Sequence, residues 1–175
     1  MNSIEEVAAY AKNVCLKDGF HSQMLIVDGT EKGAIMQLAN GLPDDYNQKQ
    51  AIMIKMGADL YRAKHIGNLM KVYFISEADM VKADANKATD LKIRPRFHPN
   101  RIDCLIITSL TPLGDSEMIT YEVKRDANNK IIDLREGVKT KQDEASSGFS
   151  PLLQSFIVGF LKADKYTDKV LGIKS

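Results

Sequence analysis

Ile102-Asp103-Cys104-Leu105-Ile106-Ile107-Thr108-Ser109-Leu110 is followed by Thr111-Pro112-Leu113-Gly114-Asp115 and then, two residues on, by Met118-Ile119-Thr120-Tyr121-Glu122-Val123-Lys124. The first run is almost unbroken Ile, Leu, Cys and Thr, the pattern of a central strand covered on both faces. Proline and glycine in the middle run turn the chain. In the last run Ile119, Tyr121 and Val123 alternate with Thr120, Glu122 and Lys124, so the chain returns as a half-buried strand. Strands joined by so short a turn pair as an antiparallel hairpin. A turn centred between Leu113 and Gly114 places Asp103 opposite Lys124 and Leu105 opposite Glu122.

Downstream, Asp126-Ala127-Asn128-Asn129-Lys130 is a second tight turn, because Asn tolerates the left-handed backbone, and Ile131 to Leu134 extends the meander. Residues 138–148 read as a polar connector that ends in the hinge Ser146-Ser147-Gly148. Ser150-Pro151 then supplies the N-cap and first position of a final helix. Leu152, Leu153, Phe156, Ile157, Val158, Phe160 and Leu161 make that helix apolar on most of its circumference, so it is buried deeply or buried by a partner.

Upstream, Met70, Val72 and Phe74 alternate with Lys71, Tyr73 and Ile75 in a third strand. Residues 77–101 then lose periodicity and contain Pro95 and Pro99, which predicts a long basic loop with a helical turn near Ala78 to Ala85. Ile52, Met53, Met56, Leu60 and Ala63 form the stripe of an amphipathic helix from Asn47 to Ile66, closed by Gly67-Asn68. Met24 to Val27 and Ala34 to Leu38 flank a glycine-bearing loop and read as a hairpin. At the start, Ser3 and Glu6 make a capping box. Ile4, Val7, Ala8, Ala11, Val14 and Cys15 follow at helical spacing, and Asp18-Gly19 closes the segment. The expected fold is α+β: a mostly antiparallel sheet of about six strands, hairpin plus meander, packed by about three helices in the order α-β-β-α-β-β-β-β-α. With 175 residues, one domain over 1–175 is the expected organisation.

Lys and Arg number 24 against 23 Asp and Glu, a formal charge of +1, so no global field draws the chain to nucleic acid or an anionic membrane. Its first residues, Met-Asn-Ser-Ile-Glu-Glu, lack the basic and apolar regions of a signal peptide. No apolar stretch approaches the roughly 20 residues of a membrane helix. Cys15 on a helix stripe and Cys104 within a strand are placed as free buried thiols, which predicts a soluble protein of the reducing cytoplasm.

Two constellations carry chemistry. Asp103 on one strand and Glu122-Val123-Lys124 on the next supply two carboxylates and a lysine, a set able to hold a divalent ion and polarise an attacking water. This pattern resembles the PD-(D/E)xK nuclease superfamily, whose Asp and Glu-x-Lys lie on adjacent strands of a similar hairpin and bind magnesium. The resemblance spans Ile102 to Arg125 and implies Mg2+ as cofactor, with Asp103, Glu122 and Lys124 as catalytic residues. Two features depart from that family: Asn128-Asn129 turns into another strand where a helix is usual, and Ile102 stands where a proline or small residue often precedes the Asp. The bland reading is that Glu122 and Lys124 are solvated strand residues pairing with neighbours for under about 1 kcal/mol.

The second constellation is the run Lys92 to Arg101, where Arg94, Arg96, His98 and Arg101 form an anion-binding set and Phe97 offers a stacking face. Nucleic acid stays open as its partner. The bland reading is a surface loop whose arginines answer Glu77, Asp79, Asp84 and Asp90. His21 and His65 are distant from His98 and no Cys-x-x-Cys occurs, so no zinc site is expected. Glycine-rich nucleotide loops are likewise missing.

Two functions follow. The leading one is a small domain without assignable catalysis that self-associates, most simply as a homodimer, or binds a protein partner through Leu152 to Leu161. The alternative is a metal-dependent nuclease or phosphodiesterase built on Asp103, Glu122 and Lys124.

Overall fold

The computed structural model describes residues 3–38, 41–81, 98–142 and 150–163. The chain opens with helix α1 (Ile4–Asp18), begun by Ser3, whose Oγ accepts the N–H of Glu6 at 3.2 Å. Gly19 ends it at φ 80°, where its N–H donates to the Cys15 carbonyl at 2.8 Å. Ile4, Val7, Ala8, Ala11 and Cys15 are buried and Val14 is half-buried, so the stripe read from spacing is, apart from Val14, the stripe that packs.

β1 (Met24–Gly29) and β2 (Gly33–Gln37) form the expected hairpin. Helix α2 (Tyr46–Ala63) starts on Asp45, whose carboxylate accepts the Gln48 N–H at 2.8 Å. It stops at Lys64, which adopts the left-handed conformation at φ 52°, three residues before the expected Gly67. β3 (Leu69–Val81), β4 (Arg101–Leu110), β5 (Ser116–Arg125) and β6 (Ile131–Gln142) follow, then helix α3 (Pro151–Leu161). Among the described residues this is an α+β fold of three helices and one six-stranded antiparallel sheet, in the order β2-β1-β3-β4-β5-β6.

Two further boundaries differ from the sequence reading. The loop expected over 77–101 does not begin at Glu77: residues Glu77 to Val81 continue β3 and pair with Arg101 to Leu105 of β4. The helical turn expected near Ala78 is therefore strand as far as Val81, and its remainder, like Arg94 and Arg96, lies outside the described residues. The connector expected over 138–148 is strand as far as Gln142, because β6 keeps pairing with β5 to its end, and 143–148 lie outside the described residues. In both places the backbone ladder holds a stretch where charged side chains interrupt the apolar pattern.

The helices divide between the two faces of the sheet. α1 covers β3 to β6, where Tyr73, Ile75, Leu105, Ile107, Ile119 and Tyr121 meet its buried stripe. On the other face α3 lies across β3 and β4, and α2 packs against α3. Leu153, Phe156, Ile157 and Phe160 are thereby enclosed between sheet and helix, which is why α3 needs so little polar surface.

α2 and α3 approach to backbone contact through two glycines. A Cβ on Gly57 would lie 2.1 Å from the Phe156 carbonyl oxygen, and one on Gly159 would lie 2.0 Å from that of Ile54. Neither neighbour is a side chain that can swing aside. This approach also explains why Met53, Gly57 and Ala58 are buried while Ile52, Met56 and Leu60 are only half-buried and Ala63 is exposed, a narrower stripe than spacing suggested. Replacing Gly57 by Ala gains about 1 kcal/mol of helix propensity, but forcing the two helices apart costs about 1–3 kcal/mol for overpacking and loosens the packing around the crossing. Gly57→Ala and Gly159→Ala are each expected to lower the urea midpoint, by a net loss of up to about 2 kcal/mol; a raised midpoint would contradict the close crossing.

Candidate functional site

The loop between β4 and β5 fixes which side chains can meet. Thr111 donates its N–H to the Asp115 carbonyl at 2.9 Å, and Gly114, at φ 105°, donates to the Thr111 carbonyl at 3.0 Å. This five-residue loop centres on Leu113, and the strands leave it with Leu110 opposite Ser116, Leu105 opposite Tyr121 and Cys104 opposite Glu122. The register is one residue away from the one expected, so Asp103 does not face Lys124. A one-residue slip moves a side chain to the other face of a sheet. Asp103 therefore shares the α1 face with Leu105, Tyr121 and Arg125, whereas Glu122 and Lys124 belong to the opposite face. There they stand across from Arg135 and Asp133 of β6. Asp103, Glu122 and Lys124, read from the sequence as one catalytic cluster for Mg2+, are not brought together.

Asp103 joins a different set. Its Oδ2 accepts from Arg125 Nε at 3.2 Å, Arg125 Nη2 donates to Glu77 Oε2, and Arg125 Nη1 donates to the Asn129 carbonyl at 3.0 Å. The other oxygen of Glu77 accepts the backbone N–H of His21 at 2.7 Å. One guanidinium thus ties β3, β4, β5 and the β5–β6 turn together, and Glu77 extends the chain of contacts to the entry of β1. Burial opposes the charge on Arg125, but its bonds to the Glu77 and Asp103 carboxylates outweigh that and hold its pKa above the ordinary value.

Asp79 lies directly opposite Asp103, and Arg101 directly opposite Val81. Glu77, Asp79, Arg101, Asp103, Arg125 and Asn129 line a concavity of about 390 Å³ at this end of the sheet. Among the described residues no His, Cys, Asp and Glu group of three or more is placed to hold a metal ion.

Of the expected anion-binding set, Arg94 and Arg96 lie outside the described residues. Arg101 reaches the concavity. His98 is 5% exposed, and its Nδ1 accepts the N–H of Asn100 at 3.1 Å, so it helps form the turn that leads into β4. α3, expected to be a contact surface, turns its apolar side chains into its own chain and leaves Leu161, 60% exposed, outside. Cys15 is buried and its thiol is pushed up to about 12, chiefly by burial, so it is an inert core group.

Sequence reading missed Glu77, Asp79 and Arg125 as a set. The signal lay in the period: Tyr73, Ile75, Glu77 and Asp79 fall on one face of an uninterrupted strand, and the polar change at Glu77 looked like the end of the strand. Compared with family models, curated proteins and solved structures, the chain matches none. Arg125→Met removes all three donors while keeping much of the stem. It leaves two half-buried carboxylates without their guanidinium, and with solvent screening the loss is expected to be about 1–2 kcal/mol in chemical denaturation. A loss below measurement would show that the three-strand tie carries no stability.

Proposed function

We propose that this chain is a partner-binding domain whose recognition element is the acidic mouth formed by Asp79 and Asp103, and that the group it takes is a lysine ammonium or arginine guanidinium of a protein partner. The observation that carries this reading is the pairing of two aspartates directly across the β3–β4 ladder. Like charges directly opposite in a sheet are destabilising, and a local arrangement that works against the fold is most readily explained by use. Arg101 and Arg125 line the concavity against the three carboxylates of Glu77, Asp79 and Asp103, and the three donating nitrogens of Arg125 are divided among Asp103, Glu77 and the Asn129 carbonyl, so the lining keeps an acidic excess. An incoming guanidinium matches a carboxylate pair in shape as well as charge.

Binding is favoured over metal-dependent hydrolysis because Asp103 and Glu122 occupy different faces. Self-association through α3 loses its warrant because the apolar side chains of that helix pack within the chain. Free, buried Cys15 and Cys104 support a reducing, cytoplasmic setting. No helix among the described residues is long and apolar enough to cross a membrane.

The test is Asp79→Asn, which keeps size and removes one charge. It is expected to raise stability by about 0.2–1 kcal/mol, the reverse of the like-charge penalty, and to abolish the chemical-shift changes that a short arginine-rich peptide produces around residues 77–81 and 101–103. A variant less stable than the parent, or one that binds the peptide equally well, would remove the basis of the reading.

A further inference from the structure

We infer that His21 is a pH-sensitive positioning residue for the acidic mouth, coupled to it through Glu77 and Arg125, so that acidification weakens the binding of a cation. This rests on the binding role proposed above, but the coupling itself can be read without any ligand.

The geometry forms a continuous relay. The His21 backbone N–H donates to one oxygen of Glu77 at 2.7 Å, the other oxygen of Glu77 takes Arg125 Nη2, and Arg125 Nε reaches Asp103 at 3.2 Å. Asp103 in turn stands opposite Asp79. At the far end of this relay His21 is only 6% exposed. Its Nδ1 lies 2.6 Å from the Ser22 carbonyl oxygen, an acceptor, which fixes the proton on Nδ1 and leaves Nε2 as a bare lone pair. That Nε2 is buried and has no hydrogen-bond partner among the described residues. A histidine seated in this way is neutral by construction: the one nitrogen able to take a proton has nothing to donate it to, and an unpartnered buried N–H carrying charge is costly.

The charges that face the ring are Asp18 at the end of α1 and Glu77 on β3. Burial lowers the imidazole pKa below its ordinary 6.5, outweighing the Ser22 carbonyl and these two carboxylates, which act in the opposite direction. The unfolded chain therefore takes up the proton first as the pH falls. The stability that His21 contributes is complete above about 6.5 and is lost as the pH falls through the folded value. Within the folded state, charging the ring adds a cation beside Glu77, which competes with Arg125 for that carboxylate and makes the mouth less favourable to a second cation.

The experiment follows the side-chain Nε–H of Arg125 and the imidazole of His21 by NMR between pH 7.5 and 5, in the parent and in His21→Gln, with the arginine-rich peptide titrated at each end. The Arg125 signal is expected to move with the midpoint of His21, below 6.5, and to stay still over that range in His21→Gln. Peptide affinity is expected to fall on the order of fivefold in the parent, a usual size for coupled sites, and to remain flat in the variant. An Arg125 signal that ignores the His21 midpoint overturns the inference whatever the peptide does, and does so on the parent alone if the variant fails to fold. An Arg125 signal that follows His21 while the peptide fails to bind at pH 7.5 upholds the relay and removes the binding reading instead.

Discussion

Side chains in a sheet meet only if the ladder presents them on the same face, and here the ladder between β4 and β5 sets that condition for the whole protein. With Leu105 opposite Tyr121 and Ile107 opposite Ile119, all four side chains point at α1 and complete the larger of the two cores. The alternative register, one residue away, would turn half of them to the other face. The five-residue loop centred on Leu113, with Gly114 in the left-handed region, is what selects between the two. The neighbours of Asp103, Arg125 and Glu122 all descend from this one choice.

The opposite face is built on close approach. α3 is enclosed because α2 comes near enough for Gly57 and Gly159 to touch the partner backbone, and Leu153 and Phe156 then fill the space above Leu25, Val27 and Val72. Burial of a leucine or phenylalanine side chain contributes about 1.5–3 kcal/mol, so the apolar excess of this helix has its explanation inside the chain. With both faces of the sheet occupied by helices, the polar end of β3, β4 and β5 is the place where the fold gathers charge without a hydrophobic reason.

Much of the architecture was legible in the residues. Ser3 with Glu6, Ser150 with Pro151, and the alternation around Ile119 each carry a local rule that packing did not override, whereas the alternation that began at Met70 misled, since Met70 is exposed and Tyr73 and Ile75 on the other face are fully buried. The extents of β3 and β6 were not legible, since Glu77 to Val81 and Val138 to Gln142 are held by the ladder and not by an apolar pattern. The candidate site was half legible. Asp103 stood out, but its partners depended on the parity of a loop, and composition does not encode parity. Glu77 and Arg125 meet across forty-eight positions, through strands whose pairing has to be known first.

A chain of hydrogen bonds and ion pairs thus runs from His21 to Glu77 to Arg125 to Asp103, held on one face by the register and ending at a pair of opposed aspartates. The measurement that tests it most directly is the set of backbone NOEs across β4 and β5. Contacts that link Leu105 with Tyr121 and Ile107 with Ile119 are expected. Contacts that link Leu105 with Glu122 and Asp103 with Lys124 would contradict this architecture and the site built on it.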